Sequence, residues 1–198
     1  MSTATRREVT IEEFLAKAER EERIELIRGT IVEKAAPLPE HSLAQSGIDR
    51  HVGHLFARRP GGRLPGGWWF FTELDIRLGR EVYRPDICGY RRERMPEPPR
   101  SKLIELPPDW VCEILSPSNA DRDRVEKLET YFKAGIPHYW IVDPAAGTLE
   151  VLRHTDLSYA LVLTAHRGQK VRAEPFDAVE LKVDELLGGD PEDESAPA

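Results

Sequence analysis

The sequence is poor in cysteine, in long apolar runs and in positive charge. Its two cysteines, Cys88 and Cys112, lie in apolar strand-like segments, which indicates buried reduced thiols more than a disulfide or a metal site. No apolar run approaches the roughly 20 residues that a membrane-spanning helix needs, so we expect no membrane segment. The polar segment from Met1 to Glu8 lacks the apolar core of a signal peptide, and a cytoplasmic location is therefore expected.

Acidic residues outnumber basic residues, 35 to 28, which gives a formal net charge of −7. Four of these acids lie in the last nine residues, Asp190 to Ala198, where no basic residue occurs. We expect a flexible N-terminus over residues 1–9, a single domain over residues 10–187 and a disordered acidic tail over residues 188–198. The bulk charge counts mildly against nucleic-acid binding, although it leaves room for a local basic surface.

The hydrophobic periodicity changes repeatedly between the helical and the strand repeat. Helices are predicted at residues 10–20, 41–58, 119–134 and 183–187. Strands are predicted at residues 23–28, 30–34, 68–78, 82–90, 110–115, 138–143, 148–153 and 159–164. This order predicts an α+β, or mixed α/β, fold with a central mixed β-sheet flanked by helices and with additional β-hairpins.

The strand around Glu113 carries a carboxylate in an otherwise apolar run. Strand alternation puts Val111, Glu113 and Leu115 on one face, with Trp110, Cys112 and Ile114 on the other. A buried ionised carboxylate is unfavourable unless another group pairs with it. We therefore expect Glu113 to face a specific partner near the C-terminal end of its strand, where ligand sites of α/β sheets tend to lie.

Two further residues complete a candidate constellation. Asp86 begins one strand, Glu113 lies on the next, and Lys127 lies on the helix that follows. The predicted apolar stripe of that helix is Val125, Leu128 and Phe132, with Lys127 and Tyr131 on a neighbouring face. Two acids and a lysine are the smallest set for metal-assisted phosphodiester hydrolysis, because Mg²⁺ prefers oxygen ligands and a lysine can offset charge that builds on the phosphate.

A basic segment follows the strand of Asp86. Residues 91–108, the basic loop, contain five prolines and are predicted to be irregular. The bases of this loop are Arg91, Arg92, Arg94, Arg100 and Lys102. Two interpretations stay open, a solvated loop and a nucleic-acid contact surface.

The motifs together resemble a known family. Arg84-Pro-Asp86, Glu113-Ile-Leu-Ser-Pro-Ser118 and Gly135-Ile-Pro-His-Tyr-Trp-Ile-Val-Asp-Pro144 are similar to motifs of the Uma-type putative restriction endonucleases. That family was formerly a domain of unknown function and belongs to the PD-(D/E)XK nuclease superfamily. Ile24-Glu-Leu-Ile-Arg-Gly29 resembles its first strand. The resemblance covers about residues 10–187 and implies a restriction-endonuclease-like core.

The resemblance also implies roles for individual residues. Asp86 and Glu113 would bind Mg²⁺ or Mn²⁺, and Glu25 would be a third ligand or a supporting group. The superfamily usually has a lysine two positions after the strand acid, where this sequence has Leu115. In this branch a lysine of the following helix is thought to serve instead, which makes Lys127 the candidate here. His41 matches a family position and is a possible accessory residue.

Each of these residues also has an ordinary structural interpretation. Glu25 could be a strand-surface charge opposite Lys34, and Lys127 could be a solvated helix lysine paired with Asp123. His41 could cap the start of its helix, and Asp86 could end a strand turn. Tyr131, Tyr139 and Trp140 fit a core more readily than a site.

The sequence thus predicts a Mg²⁺- or Mn²⁺-dependent endonuclease that cuts phosphodiester bonds in DNA and acts as a homodimer. One alternative is a non-catalytic module that retains the nuclease fold and binds nucleic acid or protein through the basic loop. Another is a hydrolase of a different phosphate substrate.

Overall fold

The structure is a computed structural model that describes residues 7–21, 23–116 and 122–190, with the side chains of residues 122 and 123 outside the description. Residues 1–6 of the predicted flexible N-terminus, the first residues of the helix predicted at 119–134 and residues 191–198 of the predicted tail lie outside the described residues. Across the described ranges, no helix has both the length and the hydrophobicity to cross a bilayer.

The N-terminal third begins with a helix and a hairpin, as predicted. Helix α1 (Ile11–Ala18) starts at a capping box in which Thr10 and Glu13 each accept a hydrogen bond from the backbone N–H of the other. Strands β1 (Ile24–Ile27) and β2 (Thr30–Glu33) follow. The two-residue turn between them holds Arg28 at φ 48° and Gly29 at φ 68°, the left-handed conformations that a tight hairpin requires.

A long helical segment then leads into the remaining strands. Helix α2 (Pro39–Ile48) continues through a π-helical stretch (Asp49–Gly53) into α3 (His54–Phe56). The next strands are β3 (Trp68–Thr72), β4 (Asp75–Leu78), β5 (Glu81–Tyr83), β6 (Ile87–Arg91), β7 (Leu103–Ile104) and β8 (Trp110–Ile114). A second π-helical stretch (Arg122–Lys127) precedes α4 (Leu128–Lys133). The described chain ends with β9 (His138–Asp143), β10 (Thr148–His154), β11 (Tyr159–His166), β12 (Lys170–Val171), β13 (Leu181–Lys182) and α5 (Val183–Leu186).

The mixed α/β fold is confirmed, and its strands are divided among three sheets. A five-stranded sheet has the order β2-β1-β5-β4-β7, and a six-stranded sheet has the order β11-β10-β9-β8-β6-β3. Strands β12 and β13 form a separate pair. The six-stranded sheet is mixed, because β8 is parallel to β9 and antiparallel to β6. The five-stranded sheet is also mixed, because it includes the parallel β4–β7 pair.

Two predicted strands are each divided between the two large sheets, which corrects the sequence prediction. Residues 68–78 form β3 and β4, because the backbone turns at Glu73, where φ is 49°. Residues 82–90 form β5 and β6, and the interruption falls at Pro85, which has no N–H to contribute to a ladder. The basic loop is also less irregular than predicted, since β7 pairs with β4.

The alternation of β8 is as predicted. Trp110, Cys112 and Ile114 lie in the core on one face of the six-stranded sheet. Val111 and Leu115 belong to a second core between that sheet, α4 and part of the five-stranded sheet. Glu113 therefore points into the second core. Cys88 and Cys112 are both buried free thiols, also as predicted.

The helical segment after β8 agrees only in part with the prediction, because Leu128 and Phe132 pack against the second core as predicted but Val125 does not. Val125 was expected to be buried, but it is 65% exposed, while Lys127 and Tyr131 are almost fully buried. The π-helical stretch explains the difference, because its wider turn changes which side chains face the sheet relative to a regular helix. The helix thus turns a lysine toward the core.

Candidate active site

Asp86 lies where the chain crosses from the five-stranded to the six-stranded sheet, and its carboxylate is fully buried. Its Oδ1 accepts a hydrogen bond from Nζ of Lys34 at 2.9 Å. Its Oδ2 accepts one from the backbone N–H of Ile114 at 2.7 Å and lies 3.1 Å from Nε2 of His41. The side chain of Gln45 also donates to the Asp86 carbonyl at 2.8 Å. Both sheets and helix α2 therefore fix the position of this carboxylate.

The charges around Asp86 change its ionisation. Burial opposes the charged form, but the Lys34 ammonium and His41 outweigh it and hold the pKa of Asp86 below its ordinary value. For Lys34, burial likewise opposes the charged form, but the carboxylates of Asp86, Glu113 and Glu25 together outweigh it, so the pKa of this amine is raised. Asp86 and Lys34 are therefore a mutually stabilised buried ion pair.

Glu113 and Lys127 form a second buried pair nearby. Nζ of Lys127 lies 3.0 Å from Oε1 of Glu113, and the hydroxyl of Tyr131 donates to the same oxygen at 2.7 Å. Glu113 is 0% exposed and Lys127 is 1% exposed. Burial and the charge of Glu113 raise the pKa of Tyr131 well above its ordinary value, so this hydroxyl stays a donor.

Glu25, on strand β1, contacts Lys127 and the backbone just before Asp86. Its Oε1 lies 3.3 Å from Nζ of Lys127 and accepts a hydrogen bond from the backbone N–H of Arg84 at 2.9 Å. Its Oε2 is buried and has no hydrogen-bond partner among the described residues. Together these side chains make one group, the carboxylate–lysine cluster: Glu25, Lys34, His41, Asp86, Glu113, Lys127 and Tyr131.

The structure brings all the predicted core-site residues into this cluster. Asp86, Glu113, Lys127 and Glu25 come from four separate parts of the chain. The interpretations of Glu25 as a surface charge and of Lys127 as a solvated lysine are wrong, because both side chains are buried. His41 lies inside the first turn of α2, whose N-cap is Leu38, so it does not cap the helix and contacts Asp86 instead.

Two members of the cluster were missed as site residues. The sequence predicts Lys34 only as a neighbour of Glu25, and Tyr131 only as a core residue. The sequence contained a signal for Lys34, because strand alternation puts Val32 and Lys34 on one face. In the structure Glu25 pairs with Val32, so Lys34 lies on the same face of the hairpin as Glu25. Tyr131 lies one helical turn from Lys127 on the same buried side.

The cluster contains the kind of donors that a magnesium or manganese ion prefers, carboxylate oxygens. Within residues 7–21, 23–116 and 122–190, however, no group of three or more His, Cys, Asp or Glu side chains is arranged to hold a metal ion as it stands. The Lys127 ammonium lies between Glu25 and Glu113, and the Lys34 ammonium lies against Asp86. The chain's own cations therefore lie against the carboxylates.

The basic loop is largely anchored to the protein. The guanidinium of Arg91 lies 4.7 Å from the ring centre of Trp68, and that of Arg92 lies 3.4 Å from the ring centre of Trp69. Arg94 forms an ion pair with Asp109 at 2.7 Å. These three arginines thus have structural partners.

Arg100 and Lys102 are exposed, and Arg91, which begins the basic loop, lies away from the cluster. Asp86 precedes β6 and Arg91 ends it, so the two are roughly 17 Å apart at about 3.4 Å per residue. Nucleic-acid contact by Arg91, Arg92, Arg94, Arg100 and Lys102 stays a prediction. A contact through Arg91 would lie at the opposite end of β6 from Asp86.

Comparisons with known proteins identify the family of the chain and a solved structure with a similar fold. The chain belongs to the Uma2 family, described as putative restriction endonucleases, whose profile matches residues 11–184. It is also similar to a crystal structure from Anabaena variabilis, described as a putative nuclease belonging to DUF820, with 25% identity and a TM-score of 0.67. That match covers 90% of this chain and 97% of the other. A comparison with curated proteins gave no match.

Proposed function

We propose that this protein is a divalent-metal-dependent endonuclease that hydrolyses phosphodiester bonds in DNA. The observation that carries the proposal is the carboxylate–lysine cluster, in which Asp86, Glu113 and Lys127 converge at the seam of two sheets. Stability alone rarely favours such a cluster, because well-packed apolar residues often replace buried ion pairs without loss. Buried, strongly interacting ionisable groups are typical of functional sites.

The side chains present fit a magnesium or manganese ion. Asp86 and Glu113 would hold it, and Oε2 of Glu25 is a buried oxygen that is not committed to a hydrogen bond among the described residues. Such an ion, when bound, supplies Lewis-acid polarisation of a phosphate and favours ionisation of a water molecule.

The chain's own residues supply the remaining functions. The Lys127 ammonium can stabilise negative charge that develops on the phosphate. This lysine comes from the helix, since the position two after Glu113 is taken by the core residue Leu115. His41 and the backbone N–H of Ile114 orient the Asp86 carboxylate. Tyr131 orients Glu113 by donating to its Oε1.

One observation favours the second candidate, a non-catalytic binding module with a nuclease fold. Asp86 is already neutralised by Lys34, and every acid of the cluster is 0% exposed. A module of this kind would use the charged groups only to hold the two sheets together.

The test is cleavage of plasmid DNA by the wild-type protein and by Glu113→Gln, with Mg²⁺ or Mn²⁺ and after chelation. We expect wild-type cleavage that requires the metal, and a loss of more than about 100-fold in the variant, because even groups that only support metal ligands are worth 10- to 100-fold. The matched control is Asp109→Asn, since Asp109 is a buried acid just before the other end of β8. It should cleave at close to the wild-type rate.

Each other result has a clear meaning. Equal cleavage by wild type and Glu113→Gln would point to a contaminating nuclease or to another site. DNA binding by the wild-type protein without cleavage in either metal would favour the binding module.

A further inference from the structure

Lys34 is a member of the cluster that has no role in the proposed reaction. It follows strand β2, and its Nζ donates to Oδ1 of Asp86 at 2.9 Å and to the carbonyl of Arg84 at 2.7 Å. An ammonium group has only donors, so it can serve the carboxylate as a counter-ion and cannot itself bind a metal. Lys34 therefore occupies a position on Asp86 that a divalent cation would also need.

The charges of the cluster make this overlap significant. Three carboxylates, those of Glu25, Asp86 and Glu113, face two ammonium groups, those of Lys34 and Lys127. A divalent ion would add two positive charges to a buried region where water screens poorly, so repulsion from both ammonium groups would be stronger than in solvent. Metal binding is therefore more favourable when one of these ammonium groups moves away.

The surroundings of the two lysines decide which one can move. Lys127 is 1% exposed and is held on a helix between Glu25 and Glu113. The side chain of Lys34 is 5% exposed, against 2% for that of Lys127, and residues 35–40 that follow Lys34 are exposed. Its flexible four-carbon stem can carry the ammonium to solvent while the apolar part stays packed.

We propose that Lys34 is an internal counter-ion, which neutralises Asp86 in the metal-free protein and is displaced when a divalent cation binds. The inference rests on the proposed function, because it takes Asp86 as a metal ligand. It adds that the Lys34–Asp86 pair must break for the metal to bind, so that Lys34 lowers the metal affinity of the protein.

The experiment measures Mn²⁺ binding by isothermal titration calorimetry to the full-length wild type and Lys34→Met. Methionine keeps much of the apolar stem and removes the ammonium. We expect Mn²⁺ to bind the variant between about 5- and 150-fold more tightly, the usual range for the coupling between two binding events. The matched control is Lys133→Met, which removes an ammonium that is 70% exposed on α4, and it should bind like wild type. Equal or weaker binding by Lys34→Met would overturn the inference.

A second measurement uses the wild-type protein and does not depend on the folding of a variant. Amine-reactive labelling followed by mass spectrometry reports the accessibility of each lysine, with and without Mg²⁺. Lys34 should become more reactive when Mg²⁺ is added, while Lys127 stays protected and Lys133 stays reactive. Unchanged labelling of Lys34 under saturating Mg²⁺ would contradict its displacement.

The outcomes separate this inference from the proposed function. If Lys34→Met binds Mn²⁺ more tightly but no form of the protein cleaves DNA, the counter-ion is supported and the nuclease is refuted. If the wild type cleaves DNA while Lys34→Met has wild-type Mn²⁺ affinity, only the counter-ion is refuted. If neither the wild type nor Lys34→Met binds Mn²⁺, both the counter-ion and the metal-dependent nuclease are refuted.

Discussion

The two ends of the β6–β8 strand pair both combine acids with bases, yet they treat charge in opposite ways. At one end Asp86 and Glu113 are fully buried and are neutralised by lysines that are themselves buried. At the other end Asp109 pairs with Arg94, whose side chain is 39% exposed. Partly solvated pairs contribute little, about 0–1 kcal/mol, whereas breaking a buried pair is strongly destabilising. The end that carries the carboxylate–lysine cluster is therefore the one where charged groups are buried, as is typical of functional sites.

The largest effect should come from removing Asp86. Asp86→Ala leaves the Lys34 ammonium and the Ile114 N–H without their acceptor, and we expect a loss of about 3–5 kcal/mol in the free energy of unfolding. Asp109→Ala at the other end should lose about 1–3 kcal/mol. Urea denaturation of both variants measures the difference. A larger loss for Asp109→Ala would mean that the Asp109–Arg94 end, and not the Asp86 end, contributes more to stability.

The Lys34–Asp86 ion pair should make the stability of the protein depend on pH. The folded pKa of Asp86 is lowered, so its contribution to stability is present above the unfolded value of about 4 and is lost as pH falls through the folded value. The stability gap between wild type and Asp86→Asn should therefore narrow as the pH falls below about 4. A gap that stayed constant over that range would mean that the pKa of Asp86 is not lowered.

An intermediate effect is expected for Tyr131→Phe, which removes a buried hydrogen bond to the Glu113 carboxylate. Hydrogen bonds to charged groups are worth about 1.5–3 kcal/mol, against about 1 kcal/mol for neutral ones. The matched control is Tyr159→Phe, because the buried Tyr159 hydroxyl donates to a neutral carbonyl, that of Ile136, at 2.7 Å. Chemical denaturation should show the larger loss for Tyr131→Phe. Equal losses would indicate that Glu113 is not acting as a charged acceptor.

The smallest effect on stability is expected in the basic loop. Arg100→Ala and Lys102→Ala change exposed side chains and should alter the free energy of unfolding by less than about 0.5 kcal/mol. If these residues contact DNA phosphates, each substitution should reduce the salt dependence of DNA binding by about one unit of slope. Fluorescence anisotropy at several salt concentrations measures this slope. The control is Arg80→Ala, since Arg80 is 92% exposed outside the basic loop. A slope that matches the control would leave the loop as a solvated connection.

Local patterns in the sequence were sufficient for much of the fold. The helix that starts at residue 10, the strands on either side of Gly29 and the alternation of β8 each depend on residues a few positions apart, and the structure confirms all three. The resemblance carried by the Glu113 and Gly135 segments led to the family, which the matched profile confirms. The roles of Glu25, Asp86, Glu113, Lys127 and His41 stay predictions.

What the local patterns could not give was the division of strands between sheets. Residues 68–78 have the composition of one continuous strand. Pro85 interrupts residues 82–90, but nothing local states that Glu73 and Pro85 mark a change of sheet. That change depends on which distant strand is available for pairing. It is also what places Asp86 at the seam.

The sequence by itself determined which residue types were available for chemistry: an acid in an apolar strand, a second acid after a proline and a lysine on the next helix. Only the tertiary structure decided that Lys34 would reach Asp86 and that a π-helical stretch would turn Lys127 inward. The physical reason is that charge pairing and burial depend on contacts between residues far apart in the chain, such as Lys34 and Asp86, which are separated by 52 positions.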